Sequence, residues 1–211
     1  MNTIKSRRSV IVLSAVIALL PLAALAELPM APEKVHPIAK GVLVPNVTLK
    51  TVDGKTFDLK TETEAKPAVI IFYRGGWCPY CNAHLADVQK AEKDLLTLGY
   101  QILAISPDSA KALRATMDDD QLTYTLLSDA DMQAAGAFGL AYGLDGATTE
   151  KYKSFGVPLT AQHDGHFWLP VPAVYIVGKD GRIAFAHWDP DYKVRLSGDE
   201  LLKAAREASA K

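Results

Sequence analysis

"RGGWCPYC", Arg74–Cys81, holds both cysteines of this 211-residue chain. Two thiols so close in sequence can be a staple, a metal clamp or a reactive pair. A disulfide stabilises chiefly by closing a loop, and the gain shrinks with the loop. A bridge from Cys78 to Cys81 closes almost nothing. A tetrahedral metal site wants four ligands. The chain has no second cysteine pair, so His163, His166 or His187 would have to complete it. The first two belong to "HDGH", a glycine-containing loop in which a solvated histidine is the ordinary finding. The neighbours of the pair favour reactivity. Gly75-Gly76 lets the chain turn tightly. Pro79 suits a first helical position, where its missing N–H costs little. Cys78 is therefore expected at or just before a helix N-terminus, where free N–H groups and the helix dipole stabilise a thiolate. The thiolate, not the thiol, is the nucleophile. Cys81, one turn in, is within bonding reach. This spacing assigns Cys78 as the attacking thiol and Cys81 as the resolving one.

On either side the pattern is that of an α/β domain. "AVIIFY" (Ala68–Tyr73) is a continuous apolar, β-branched run, the signature of a strand buried on both faces. After Pro79, the apolar residues Leu85, Val88, Ala91, Leu95 and Leu98 step by three or four, giving one helical stripe that Gly99 ends. "YQILAIS" is a second strand. Pro107-Asp108-Ser109 opens a helix to about Met117. "YTLLSD" is a third strand, and "DMQAAGAFGLAYGL" a glycine-interrupted helix. Upstream, "PNVTLKTVDGKTFDLK" reads as two strands around Asp53-Gly54. Downstream, "AVYIV" and "RIAFAH" form a hairpin across Gly178–Gly181, and "GDELLKAAREA" is a closing helix. Asp145–Pro170 has no clear periodicity and reads as an excursion around a binding face. Alternating strands and helices imply a parallel section of sheet covered on both faces. The final hairpin adds antiparallel strands.

Trp77-Cys78-Pro79-Tyr80-Cys81 resembles the Trp-Cys-x-x-Cys site of thioredoxin-fold oxidoreductases. The wider layout is similar to the peroxiredoxin-like branch of the alkyl hydroperoxide reductase/thiol-specific antioxidant (AhpC/TSA) family. "FYRGGWCPYC", "LLSD", "VPAVYIVGKDGRI" and "HWDPDYKVRLSGDELL" carry that likeness, over roughly Val42–Ala205. It implies a thioredoxin-like fold, with a central mixed sheet, helices on both faces and an N-terminal β-hairpin extension. It also implies a thiol oxidoreductase that reduces peroxides or disulfides through Cys78 and Cys81 as a redox-active disulfide. No bound cofactor and no metal are implied; an external thiol or thioredoxin-like reductant resets the pair. The family's cis-proline falls on Pro172, ahead of Ala173–Val177, with Pro170 the competing position. One departure stands out. True peroxiredoxins carry Pro-x-x-x-Thr-x-x-Cys, whereas here the Pro and Thr positions hold Ile71 and Gly75 for Cys78, or Arg74 and Cys78 for Cys81. The rival readings are a protein disulfide reductase or oxidase of thioredoxin type and a thiol-based metal carrier.

Around the pair, Arg74 can lower a thiol pKa or hold an oxyanion. Trp77 is expected beside Cys78 as a shield. Tyr80, inside the motif, is placed to tune its redox balance. His84 lies on the same helical side as Cys81 and is either a proton acceptor or a plain helix residue. Trp168 is a candidate for the substrate groove.

The first 26 residues read separately. "MNTIKSRR" is basic, "SVIVLSAVIALLPLAALA" is apolar, and Ala24-Leu25-Ala26 is a small-x-small end. That is the layout of a signal peptide removed before Glu27. Residues 27–41 form an extended lead-in and 42–211 the domain. The chain carries 23 basic and 24 acidic side chains. Loss of Lys5, Arg7 and Arg8 would leave 20 basic residues against the 24 acidic ones, a net charge of −4. A mildly acidic surface without basic runs argues against nucleic acid. No later apolar stretch can span a bilayer. The expected location is periplasmic or secreted, with the mature form outside the membrane.

Overall fold

The computed structural model describes residues 29–210; the signal-peptide reading falls on residues outside that span. Its centre is β3 (Ala68–Phe72), every residue of which is buried. β3 pairs in parallel with β4 (Gln101–Ser106), and β4 in parallel with β5 (Thr125–Ser128). On the other side β3 meets β8 (Ala173–Val177) antiparallel, and β9 (Ile183–Trp188) closes that edge. The N-terminal hairpin, β1 (Thr48–Thr51) and β2 (Thr56–Asp58), joins the opposite edge through β1 against β5. The resulting order is β2-β1-β5-β4-β3-β8-β9. This is the expected thioredoxin-like mixed sheet with its hairpin extension.

Alternation along β3 explains the two cores. Val69, Ile71 and Tyr73 face Leu85, Val88 and Leu95 of α2 (Pro79–Thr97), Leu113 of α3 (Ala110–Asp120) and Leu201 of α6 (Gly198–Ser209). Ala68, Ile70 and Phe72 face the opposite layer, with Leu59 of α1 (Leu59–Ala65) and Ala134 of α4 (Gln133–Ala137). There Phe138 packs 4.8 Å from Phe72 and 5.1 Å from Tyr175, centroid to centroid. Helices thus cover both faces, and β3 reads as unbroken apolar sequence because neither face meets water.

Four local features depart from the sequence reading. The second strand of the hairpin stops at Asp58, whose Oδ1 accepts from the Thr61 amide at 2.7 Å and starts α1. A seven-residue helix with only Leu59 and Thr63 buried offers too little periodicity to be seen. α3 runs to Asp120, beyond Met117, and stops where Gln121 turns left-handed at φ 52°. The glycine-rich stretch splits into α4 and a short strand, β6 (Ala141–Gly143), which pairs with β7 (Trp168–Pro170). The supposed excursion contains α5 (Gly146–Ser154), capped by Asp145. The lead-in is extended apart from one 3-10 turn at Pro32–Lys34, and it is held where the Ile38 amide donates to the Phe138 carbonyl at 3.0 Å.

Candidate active site

β3 ends at the edge of the buried layer, and the next residues turn sharply into α2. Gly75 sits at φ 139°, and a Cβ there would lie 2.3 Å from Trp77 Nε1. A Cβ on Gly76 would lie 2.0 Å from Thr116 Oγ1. Both glycines are therefore required by close approach. Asp108, on the β4–α3 connection, takes the Gly76 amide on Oδ2 at 2.8 Å and the Ser106 hydroxyl at 3.1 Å. Asn82 donates to the Gly76 carbonyl at 2.8 Å. The turn is pinned from three elements.

Cys78 is the N-cap of α2 and Pro79 follows it at the first helical position, as the motif predicts. The Cys81 and Asn82 amides donate to the Cys78 carbonyl at 2.9 and 3.1 Å. Both cysteines are free thiols and buried. Their environments differ. A hydrogen bond from the Cys81 thiol, helped by the Cys81 amide and by the guanidiniums of Arg74 and Arg195, brings the Cys78 thiol down to about 6 against the opposing effect of burial. The same shared hydrogen bond, with burial and the neighbouring thiolate, drives Cys81 strongly upward. One sulfur is poised as a thiolate and its partner as the proton donor to it.

Arg74 is 2% exposed. Nη1 donates to Cys78 Sγ at 3.8 Å and Nη2 to the Tyr152 hydroxyl, while Nε has no partner. Its guanidinium carbon lies 4.9 Å from the Trp77 ring centre, 5.3 Å from that of Tyr152 and 4.1 Å from that of Tyr192. An aromatic cage keeps this cation dry, and a dry cation beside a thiol favours the thiolate. Arg195, from the loop between β9 and α6, donates through Nη2 to Cys81 Sγ at 3.5 Å. Among the described residues neither arginine pairs with a carboxylate.

The pair opens onto a cavity of about 550 Å³ with Cys78 in its wall, together with Arg74, Trp77, Tyr80, Tyr152 and Tyr192. Cys81 does not reach it. The sequence-predicted residues Arg74, Trp77, Cys78, Pro79 and Tyr80 all line this space. Trp77 is half-buried, 5.7 Å from Tyr152. Tyr80 is half-exposed and meets Tyr192 edge-on at 5.7 Å.

The expectations for Pro172 and Trp168 are corrected. There is no cis peptide among the described residues, so the bond before Pro172 is trans. The Val171 amide donates to Leu140 O at 2.9 Å, on the short link from β7 to β8. Trans is the ground-state isomer of a bond before proline. Pro172 is buried just beyond the Phe72–Ala173 register pair, at the end of β3 from which Arg74 departs. Trp168 lies outside the main cavity, in the wall of a small crevice with Trp77 and Leu169. Its expected place is taken by Tyr152 of α5 and by Tyr192. His84 is buried, Nε2 has no partner, and burial together with the nearby Arg195 charge lowers its pKa to about 4. His163 and His166 are exposed, and among the described residues no group of three or more His, Cys, Asp or Glu is arranged to hold a metal. Sequence reasoning missed Tyr152, Tyr192 and Arg195, because a lone Tyr or Arg in a loop or a short, weakly periodic helix carries no spacing signal.

Comparison with known proteins agrees with this architecture. Residues 41–186 match the AhpC/TSA family. The chain belongs to that family. It is 31% identical over 171 residues to the chloroplastic peroxiredoxin Q of Gentiana triflora, spanning 81% of this chain and 68% of that one. It is 28% identical over 105 residues to peroxiredoxin Bcp of Escherichia coli K12, spanning 50% and 67%. The crystal structure of peroxidoxin BcpB from Mycobacterium tuberculosis superposes with a TM-score of 0.63 at 18% identity, over 81% of this chain and 97% of that one, a likeness of fold. The protein is a peroxiredoxin-like, thioredoxin-fold, thiol-dependent oxidoreductase. Among the described residues no helix is long and apolar enough to cross a membrane.

Proposed function

We propose that this chain reduces peroxides in an exported compartment, with Cys78 as the attacking thiolate and Cys81 as the resolving thiol. The observation that carries the reading is Cys78 in the wall of the cavity, under a caged guanidinium that has no carboxylate partner. The Cys78 thiolate attacks one peroxide oxygen, the O–O bond breaks, and the other oxygen leaves as an alcohol or water after taking a proton. Cys78 becomes a sulfenic acid, S–OH. Cys81 then attacks its sulfur, hydroxide leaves as water with the Cys81 proton, and a disulfide remains. An external thiol reductant returns both sulfurs to the thiol state. Arg74 occupies the role for which peroxiredoxins use a threonine hydroxyl, a donor facing the peroxide beside the thiolate.

A second reading is favoured by the rim. Tyr80 and Phe155, in the cavity wall with Cys78, are large apolar residues left exposed, a surface suited to a protein disulfide. The test is peroxide consumption against disulfide reduction in an insulin-type assay, with the purified chain and a thiol reductant. Peroxide turnover at least tenfold faster supports the first reading, and the reverse ratio supports the second. Export is tested by N-terminal sequencing of the expressed protein. A start at Glu27 is expected, and an intact Met1 on membrane-bound protein would overturn it.

A further inference from the structure

One loop, residues 189–197, reaches the Cys81 sulfur and the cation beside Cys78. It sets Tyr192 over Arg74, the cation beside Cys78, and Arg195 against Cys81. The loop is braced by its own aspartates: Asp189 Oδ1 accepts from the Asp191 amide at 2.8 Å, and Asp191 Oδ1 from the Lys193 amide at 3.0 Å. Ser197 then begins α6 with a reciprocal capping box to Glu200. The Arg195 backbone therefore stands between two fixed points.

Cys81 is the harder sulfur to ionise. It is fully buried, it lies outside the cavity, and it shares its hydrogen bond with Cys78. The groups that face it are the Cys78 thiolate, the Arg74 backbone amide, the Arg195 guanidinium and the Tyr73 hydroxyl, with the Arg74 guanidinium interacting at longer range and His84 one turn further along α2. Of these, only Arg195 brings a cationic side chain to hydrogen-bond distance of its sulfur. Yet any cycle through the disulfide puts negative charge on Cys81. It does so once as Cys81 attacks, and once when the disulfide is reopened.

We propose that Arg195 is a catalytic residue that stabilises the Cys81 thiolate, and so directs the incoming reductant to Cys78. In the reopening step a reductant thiolate attacks Cys78 Sγ from the cavity. A bond forms between the two sulfurs, the Cys78–Cys81 bond breaks, and its electron pair leaves on Cys81 beside Arg195. The second thiol of the reductant then displaces Cys78, whose thiolate is received by Arg74. Two sulfurs leave in turn, and each has its own guanidinium.

The inference rests on the pair acting as a redox disulfide, and its test is independent of peroxide. The oxidised chain is reduced with dithiothreitol in stopped flow, for the wild type, Arg195→Met and Arg195→Lys, with thermal midpoints measured alongside. Reopening is expected to slow at least tenfold in Arg195→Met and to recover most of its rate in Arg195→Lys. The pH at which Cys81 ionises in the reduced Cys78→Ser background should rise with Arg195→Met. If the Met variant does not fold, Arg195→Gln replaces it with the same expectation. Wild-type reopening rates in the uncharged variant, or equal slowing in the Met and Lys variants, would overturn the proposal. A wild type inert to peroxide would defeat the peroxidase reading and leave this measurement standing.

Discussion

Two cavities of nearly equal size lie at opposite ends of the sheet. One, about 550 Å³, holds Cys78 at the end of β3. The other, about 540 Å³, lies where β3 begins, lined by Lys40, Pro67, Leu98, Tyr100, Lys179 and Arg182. Volume does not distinguish them; the state of their charges does. Arg182 is about half exposed, pairs with Asp180 at 4.0 Å and donates to the Gly41 carbonyl at 2.9 Å. Its charge is solvated and answered. Arg74 is buried, and in place of a carboxylate it has a thiol and aromatic rings. A buried cation without an anion is costly unless something nearby turns negative, and Cys78 is the group that does so.

The largest expected effects break or keep this contrast outright. Cys78→Ser should abolish peroxide and disulfide turnover. Cys81→Ser should stop after one attack, leaving a sulfenate detectable by mass spectrometry after substoichiometric peroxide. Arg182→Ala at the other end should leave turnover within about twofold of wild type. Loss of turnover in Arg182→Ala would show that the contrast between the cavities is false. A sulfenate found only on Cys81, in the Cys78→Ser chain, would reverse the roles.

Next comes the cation itself. Arg74→Met removes the guanidinium and keeps much of the bulk. The Cys78 alkylation midpoint, expected in the wild type where its thiol is brought down to about 6, should rise by about one pH unit or more, toward the free-thiol range. At pH 6 the alkylation rate should fall by roughly fivefold or more, in step with the lost thiolate fraction. His84 adds no second limb near pH 6.5, since its burial holds the imidazole neutral down to about 4. An unmoved midpoint would leave the shared thiol hydrogen bond as the dominant cause and demote Arg74.

These residues differ in how far the sequence alone could reveal them. The fold was legible in the runs Ala68–Tyr73 and Gln101–Ser106, because burial on both faces writes itself as unbroken apolar sequence. The cysteines, the glycine turn and Pro79 were legible because a helix N-cap is a local event. Arg74 could be named because it adjoins the motif. Arg195 lies 114 positions from the sulfur it touches, and Tyr152 lies 78 from Arg74. Such contacts are set by how β9 and α5 fold back, and neither leaves a period in the chain. Pro172 failed for the opposite reason: its position matched a family pattern, while the bond before it is trans.

His84 marks a further asymmetry, since no histidine lines the far cavity. Its neighbours are Arg195, the Leu196 backbone, Asp87 and His187. The unfolded imidazole takes up a proton near pH 6.5, whereas the buried one does so only near 4. Between those values the unfolded chain binds more protons. The His84 contribution is therefore fully present above about pH 6.5 and is lost as pH falls toward 4, at most roughly 3 kcal/mol. Urea unfolding from pH 7 to pH 4 should show that slope, and His84→Met should flatten it. An equal slope in the variant would assign the loss to other groups.

The smallest effect tests whether the site depends on a distant brace. Ser197 accepts the Glu200 amide at 3.3 Å, while its own amide donates to Glu200 Oε2 at 2.9 Å. Ser197→Ala removes one half of this box and should cost about 1 kcal/mol of stability. Because Ser197 lies two residues after Arg195, loosening the cap should also loosen the contact to Cys81. Reopening of the disulfide by dithiothreitol should slow by about two- to threefold, while the Cys78 alkylation midpoint stays within about 0.3 pH units of wild type. Asp58→Ala removes the corresponding cap on α1, which belongs to the opposite core and touches neither sulfur. It should cost similar stability and leave reopening unchanged. If both cap variants slow reopening alike, the effect is general loosening of the fold, and the brace on Arg195 has no special part in it.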